Sequence, residues 1–236
     1  VPTVVGNVET LAHVALIARH GADWFREGGS AGLPGTILVT LPAQCATPGV
    51  YEVPGGAWFD EVLATHGGGV PAGVRGAQVG GPAAGWIAED FHVALEPAAL
   101  RDRNSMLGCA AVRLLTEDAC AVDAVAEAAA FFARESCGKC PPCRMETQLF
   151  ATVTGGLRSG RGITRAQLDK ALQVAEMVSG TTDCALTRFP APPLRSALEL
   201  FTADFTAHLE GRDCGRSHSG GALAVGDGIT PGHPAR

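Results

Sequence analysis

The sequence predicts an α+β protein in which a small strand-strand-helix-strand unit precedes an antiparallel four-helix bundle. Short runs rich in β-branched residues alternate with glycine- and proline-rich segments before about residue 115. Four stretches with helical spacing of apolar residues follow that point. Glycine and proline account for 31 and 15 of the 236 residues, which excludes a coiled coil and favours many short elements.

The first predicted element is a helix from Val8 to His20. Its apolar residues follow the i, i+3, i+4 spacing of one helix face, with Asn7 placed as the N-cap and Gly21 just past the end. A glycine-rich loop over 28–35 separates this helix from the strand-strand-helix-strand unit, which we expect over residues 33–95. Its elements are strands at 36–41 and 49–53, a helix at 57–66, a loop-rich segment at 67–85 and a strand at 92–95, with a further strand at 110–115.

Four amphipathic helices are predicted after residue 115. They are a stripe over 122–133 that ends at Ser136, a helix from Pro142 to about Leu157, one that begins with the capping-box pattern at Thr164, and one from about Pro193 through Phe205. Because the joins are short, we expect an antiparallel bundle over about 118–211. From Arg212 onward glycine, serine, histidine and proline dominate, which predicts a disordered tail.

Charge and hydropathy narrow the class of protein. The chain has 18 basic and 24 acidic residues, a formal net charge of −6, and therefore lacks the basic surface of a nucleic-acid-binding protein. Its mean hydropathy is +0.16, yet charged residues interrupt its most apolar helix candidate, so we expect no direct insertion into a membrane. No secretory signal is recognisable, and the first residue, Val1, indicates a chain processed or cut from something longer.

The eight cysteines favour metal binding over disulfides. They are Cys45, Cys109, Cys120, Cys137, Cys140, Cys143, Cys184 and Cys214. Three of them fall within seven residues of a long chain without a secretory signal, which is typical of a cytosolic metal site. We interpret Cys45, Cys109 and Cys120 as small buried side chains, and Cys214 lies in the predicted tail.

The segment C-G-K-C-P-P-C places three thiolates around one concavity, which suits three corners of an iron-sulfur cube. A helix of about 16 residues climbs roughly 24 Å from Pro142, and the helix after Thr164 descends by a similar length. This hairpin returns the chain to the cysteine triplet near Cys184, the candidate fourth ligand. Lys139, Arg144 and the amides of the helix opening at Pro142 would stabilise an anionic cluster. Four cysteines also suit zinc, which remains the alternative.

Residues 135–144, E-S-C-G-K-C-P-P-C-R, resemble the E-S-C-G-x-C-x-P-C-R motif of the F-type flavoprotein subunit of NADH:quinone oxidoreductase, respiratory complex I. The same family includes diaphorase subunits of NAD-reducing hydrogenases and formate dehydrogenases. Residues 183–186, D-C-A-L, are similar to its distal C-A-L. Residues 2–12 are similar to the end of its flavin domain, and residues 48–54 to its β-grasp (SLBB) domain. These matches run in the right order from residue 1 to about 211.

The resemblance implies a division of the chain into four parts. Residues 1–30 would be the end of a flavin-binding domain, and 31–115 an SLBB domain of ubiquitin-like β-grasp fold with its connecting strands. Residues 116–211 would form the helical bundle that binds a 4Fe-4S cluster, and 212–236 the tail. It implies that Cys137, Cys140, Cys143 and Cys184 bind this cluster.

The resemblance also implies that Asn7 and Thr10 border the phosphate of FMN, at a helix N-terminus that suits an anion. The residues alone favour the simpler interpretation of Asn7 as an N-cap. Gly6 departs from the family, which usually has asparagine there. The family's glycine-rich and acidic segments for FMN and NADH lie upstream of the matched part, so we do not expect this chain to oxidise NADH alone.

Three functions are compatible with the sequence. The first is an electron-transfer module that accepts single electrons from reduced FMN on a 4Fe-4S cluster and passes them to partners in a larger complex. By resemblance, those partners are a thioredoxin-like 2Fe-2S subunit and a large iron-sulfur subunit, with a cytoplasmic location peripheral to the membrane. The second is a zinc-stabilised scaffold or interaction module. The third is the equivalent diaphorase module of a hydrogenase or formate dehydrogenase, with FMN and NAD bound only by an upstream domain.

Overall fold

The computed structural model describes residues 2–217, and within them the chain is α+β, as predicted. The strands are β1 (Thr36–Leu41), β2 (Gly49–Pro54), β3 (Val74–Gln78) and β4 (Arg113–Thr116). The helices are α1 (Val8–His20), α2 (Ala22–Glu27), α3 (Phe59–His66), α4 (Pro97–Asp102), α5 (Ala121–Glu135), α6 (Pro141–Arg158), α7 (Arg165–Val178), α8 (Ala191–Leu200) and α9 (Thr202–Leu209). No helix among the described residues combines the length and apolarity needed to cross a bilayer.

Helix α1 has the predicted ends. The side chain of Asn7 accepts hydrogen bonds from the backbone N–H groups of Glu9 and Thr10, and the backbone N–H of Gly21 bonds to Ile17. None of its residues is buried, however, and Val8 and Leu11 are 80% and 59% exposed. The apolar stripe that predicted the helix therefore lies at the surface.

The strands form two antiparallel pairs, β1 with β2 and β3 with β4. Strand β3 lies inside the segment expected to be a loop, and its Gly76 explains why. A Cβ atom at this position would lie 2.6 Å from Cζ of Phe201, so the glycine marks a close packing contact and not a turn. The strand expected at 92–95 is absent, since the segment makes only a bridge between Trp58 and Ala94.

Two apolar cores organise the described residues. One lies between β1, β2, α3 and the 77–114 region, around Val39, Phe59 and Leu95. The other lies among helices α5 to α9, around Phe150, Leu168 and Leu194. Each large apolar side chain buried in these cores stabilises the fold by about 1.5–3 kcal/mol.

The last predicted helix is two helices. Chain direction changes at Phe201, whose φ of −117° and ψ of 43° leave the helical region between α8 and α9. The break lets the Phe201 ring pack edge-on against Trp86, at 5.7 Å between ring centroids, and under the guanidinium of Arg75. Tertiary packing thus overrides a helical periodicity that continues through the break.

Arg75 of β3 links the two regions. Its guanidinium binds the buried carboxylate of Asp204 in α9 and the carbonyl oxygen of Ala119. Asp204 also accepts a 2.8 Å hydrogen bond from the backbone N–H of Ala121, the first residue of α5, and pairs with Arg216 at 3.0 Å. One carboxylate therefore fixes β3, the start of α5 and the segment after α9 together.

Residues 212–217, which belong to the predicted tail, make specific contacts. Arg216 pairs with Asp204. The backbone N–H of Ser217 donates to the carbonyl of Asp118, while its own carbonyl accepts from the N–H of Cys120. Regular hydrogen bonding thus extends past the end of α9, and the remaining tail, 218–236, lies outside the described residues.

Candidate metal centre

The cysteine triplet forms the connection between α5 and α6. Helix α5 ends at Glu135 with Ser136 as its C-cap, and Cys140 is the N-cap of α6, followed directly by two prolines at the first helical positions. Gly138 has a φ of +73°, a left-handed conformation that side chains rarely adopt. The loop turns there, so that Cys137 and Cys143 lie on either side of the turn, with Cys143 buried in the first turn of α6.

The α6–α7 hairpin returns Cys184 to this loop. Helix α7 ends at Val178, and Cys184 precedes a short 3-10 helix, Ala185–Arg188, that contacts both α6 and α7. Next to Cys184, the carboxylate of Asp183 lies 2.7 Å from the ammonium of Lys139 in the triplet loop. The structure thus brings the 183–184 segment to the cysteine triplet, from which it is distant in sequence.

Electrostatic interactions also connect the cysteines. Burial raises the pKa of the Cys143 thiol, while a hydrogen bond from Ser136 opposes that effect; its hydroxyl lies 3.6 Å from the sulfur. Negative charge on Cys184 and on Cys137 raises the pKa of Cys143 further. Such coupling requires the sulfurs to lie near each other, and it would disfavour three free thiolates together without a bound cation.

The donor set fits an iron-sulfur cluster. Four cysteine sulfurs are the usual ligands of such a cluster, and zinc also accepts four of them. Bound to one zinc at 2.3 Å, neighbouring sulfurs would be about 3.8 Å apart. Among the described residues, the single group of three ligand atoms within 4.8 Å of one another is formed by Cys120, His208 and Cys214. Among the described residues, therefore, no three of the four candidate sulfurs lie as close together as a single zinc ion would hold them.

Polar groups around the loop hold its shape. The Ser136 hydroxyl accepts from the backbone N–H of Gly138 at 3.4 Å, and the guanidinium of Arg144 donates to the Gly138 carbonyl at 3.4 Å. Lys139 is paired with Asp183, so the positive charge that the sequence assigns to the site is partly compensated. The acidic partner was missed because it acts through a contact between segments distant in sequence.

Glu146 is a second feature that sequence analysis missed. Its side chain is fully buried in α6, and neither carboxyl oxygen has a hydrogen-bond partner among the described residues. Burial raises its pKa to about 8. The spacing of Glu146 from Cys143 and Phe150, three and four residues, puts it on the buried face of the helix and could have revealed it.

Asn7 and Thr10 lie at the other end of the chain, at the N-terminus of α1. The carboxamide oxygen of Asn7 accepts from Glu9 N at 2.8 Å and from Thr10 N at 3.2 Å. Asn7 thus occupies the N-cap position that the residues alone suggested. Both side chains are exposed.

Comparison with known proteins identifies the class to which this site belongs. Residues 123–208 match the family described as the NADH-ubiquinone oxidoreductase-F iron-sulfur binding region. The chain therefore carries a region that binds a 4Fe-4S cluster. This segment is a member of that family, which confirms the resemblance drawn from the cysteine motif.

The similarity extends beyond the matched segment. The chain is 37% identical to the F subunit of NADH-quinone oxidoreductase from Mycobacterium tuberculosis over 216 residues, 90% of this chain and 48% of that protein. It is 34% identical to the HndC subunit of NADP-reducing hydrogenase from Solidesulfovibrio fructosivorans, over 90% of this chain and 44% of that protein. A crystal structure of NAD⁺-reducing [NiFe]-hydrogenase matches with a TM-score of 0.76 and 31% identity, over 88% of this chain and 36% of that one. The chain thus spans about half the length of the curated relatives it matches.

Proposed function

We propose that this chain is the electron-transfer module of an NADH-dehydrogenase-type flavoprotein subunit, with Cys137, Cys140, Cys143 and Cys184 as the ligands of its 4Fe-4S cluster. When bound, the cluster takes up and releases single electrons. The protein holds the four sulfurs on a rigid helical scaffold and surrounds them with charges that tune the potential. No bond-breaking residue is required in this chain.

The observation that carries the proposal is the approach of the 183–184 segment to the triplet loop. The 2.7 Å pair between Lys139 and Asp183 and the electrostatic coupling of Cys184 to Cys143 both support it. The helices around the site favour the finer assignment of residues 116–211 as a bundle, although its last helix is broken at Phe201. The pairing of β1 and β2 and their packing with α3 similarly support an SLBB assignment for residues 31–115.

The exposed apolar face of α1 supports the assignment of residues 1–30 to the end of a flavin-binding domain. Val8 and Leu11 expose more than half of their surface, and such side chains gain free energy when another domain covers them. We propose that the flavin-binding domain covers this face, and that Asn7 and Thr10 then border the flavin phosphate. Ala185 is exposed and Leu186 half-exposed beside Cys184, which leaves them accessible for contact with the same domain.

Onward transfer requires partners. By resemblance, these are a thioredoxin-like 2Fe-2S subunit and a large iron-sulfur subunit. The relatives from NADP-reducing hydrogenase and from NADH-quinone oxidoreductase are about equally similar to this chain. A diaphorase module of a hydrogenase is therefore the second candidate, and the structural match to NAD⁺-reducing hydrogenase favours it specifically.

Anaerobic reconstitution with iron and sulfide tests the cluster assignment. We expect about four irons and four sulfides per chain and an electron paramagnetic resonance signal from a reduced cubane. Cys184→Ser should lose or degrade this cluster, whereas Cys109→Ser should retain it. The prediction that Cys109 is buried was wrong, and its exposed side chain makes it a suitable control. A full and equally stable cluster in Cys184→Ser would exclude Cys184 as a ligand. A colourless protein with zinc bound to the four cysteines would support a zinc-stabilised scaffold instead.

A further inference from the structure

A second group of metal-ligating side chains lies outside the four-cysteine site. The sulfurs of Cys120 and Cys214 and a ring nitrogen of His208 all lie within 4.8 Å of one another. Cys120 comes directly before α5, His208 is in the last turn of α9, and Cys214 lies in the segment after α9. Cys120 and His208 are buried and Cys214 is half-buried. Cys120 and the distant segment that holds His208 and Cys214 therefore bring two sulfurs and one ring nitrogen close together.

The histidine is oriented as a metal ligand would be. Nε2 of His208 lies 3.5 Å from the sulfur of Cys120, and Nδ1 lies 3.4 Å from the carbonyl oxygen of Leu157 in α6. Because a carbonyl oxygen can only accept, Nδ1 carries the proton in this contact and Nε2 presents its lone pair to the sulfur of Cys120. Metal-bound histidines usually donate their other ring N–H to an acceptor of this kind.

We propose that Cys120, His208 and Cys214 bind one zinc ion, with a water molecule as the fourth ligand. With Zn–S near 2.3 Å and Zn–N near 2.0–2.1 Å, a tetrahedral ion separates sulfur from nitrogen by about 3.6 Å. The observed separation of 3.5 Å agrees with this value. Two cysteines and a histidine favour zinc over the oxygen-preferring ions magnesium and calcium. Water can reach the ion beside Cys214, which is only half-buried.

The overall charge of the complex favours zinc binding at this buried site. Zinc binding releases two thiol protons to solvent, and the ion with two thiolates, neutral imidazole and water has no net charge. A neutral group costs far less to bury than an isolated ion. The nearby guanidinium of Arg216 is already paired with Asp204 at 3.0 Å, and it also donates to the Cys214 carbonyl at 3.5 Å.

The position of the ion indicates a structural role. It would join the start of α5, the end of α9 and the segment after α9, which the Asp204 contacts already hold together. The site would thus fasten the end of the described chain to the helices that present the cysteine triplet, since α5 ends at that loop. This proposal does not depend on the cluster ligands, because the two sets of residues do not overlap.

Metal analysis and zinc-edge X-ray absorption test the proposal on the full chain, reconstituted with iron and sulfide under anaerobic conditions and then dialysed with zinc. We expect about one zinc per chain, with two sulfurs near 2.3 Å and the remaining ligands nitrogen and oxygen near 2.0–2.1 Å. Cys214→Ser should lower zinc affinity by more than about tenfold, because loss of an outer partner alone costs about 10–100-fold. Its iron content should not change.

Cys109→Ser is the matched control and should keep both zinc and iron. The X-ray absorption measurement uses the wild-type protein, so it tests the proposal even if a substitution unfolds the chain. Four sulfurs around zinc would place the ion at the cluster cysteines and overturn the proposal. Equal zinc affinity in Cys214→Ser, no zinc uptake by the reduced protein, or a disulfide between Cys120 and Cys214 in the zinc-loaded protein would each overturn it as well.

Discussion

Replacement of Glu146 by glutamine should stabilise the protein in a manner that depends on pH. The folded protein buries this carboxyl without a hydrogen-bond partner among the described residues, and its pKa rises from an ordinary value of 4.5 to about 8. Between these values the folded state retains a proton that the unfolded chain releases. The stability contributed by Glu146 is therefore lost as pH rises through this window. Glutamine is neutral at every pH and removes the loss.

The magnitude follows from the two pKa values. With these pKa values, the free energy of unfolding is lower than at acidic pH by about 2 kcal/mol at pH 6 and by about 4 kcal/mol at pH 8. The stability difference between Glu146→Gln and the wild type should consequently grow by about 2 kcal/mol over this range. Solvent does not screen this effect appreciably, because the Glu146 side chain is fully buried.

Urea unfolding of the cluster-loaded protein under anaerobic conditions, followed by circular dichroism at pH 6, 7 and 8, measures this growth. Infrared spectroscopy should also show a neutral carboxyl band at pH 6 that disappears in Glu146→Gln. The control is Glu199→Gln, a change at an exposed glutamate in α8, whose effect should not vary by the same amount. A stability difference for Glu146→Gln that stays constant between pH 6 and 8 would refute the assignment of a raised pKa.

Three further changes test other contacts. Asp183→Asn should raise the potential of the cluster, since it removes negative charge and frees Lys139; redox titration should show the effect shrinking with salt, because both side chains are exposed and the Debye length is about 8 Å at 0.15 M. Asp204→Asn should cost about 3 kcal/mol in denaturant unfolding, because it leaves Arg75 without its buried partner; an unchanged midpoint would mean that this carboxylate does not hold the regions together. Gly76→Ala should cost about 1–3 kcal/mol, since the new methyl group meets the Phe201 ring, and thermal unfolding of the alanine variant at the wild-type temperature would contradict that packing.

Elements whose signals are local were predictable from the sequence. Helix α7 begins where Thr164 and Gln167 form a capping box, and α6 begins at the prolines that follow Cys140. The return of the chain to the triplet loop was also predictable, because helix length converts residue counts into distance. The predicted lengths of the two helices between the triplet and Cys184 were therefore sufficient to predict that these cysteines lie near one another.

Features that depend on tertiary contacts were not predictable. Gly76 suggested a loop because its packing against Phe201 comes from a residue far along the chain. The group formed by Cys120, His208 and Cys214 escaped notice because no short spacing joins its first member to the others. The prediction of a disordered tail was based on composition alone. Composition does not show that Ser217 is hydrogen-bonded to the segment before α5, or that Arg216 is paired with an aspartate of α9.

The bare apolar side of α1 has a practical consequence for handling the protein. An exposed apolar helix face favours self-association as the protein concentration rises. The apparent molecular mass of the protein in solution should therefore increase with concentration. The substitutions Val8→Lys and Leu11→Lys should suppress this self-association. They should have little effect on the stability of the fold, because neither side chain is buried. The doubly substituted protein would therefore suit spectroscopy that needs concentrated samples.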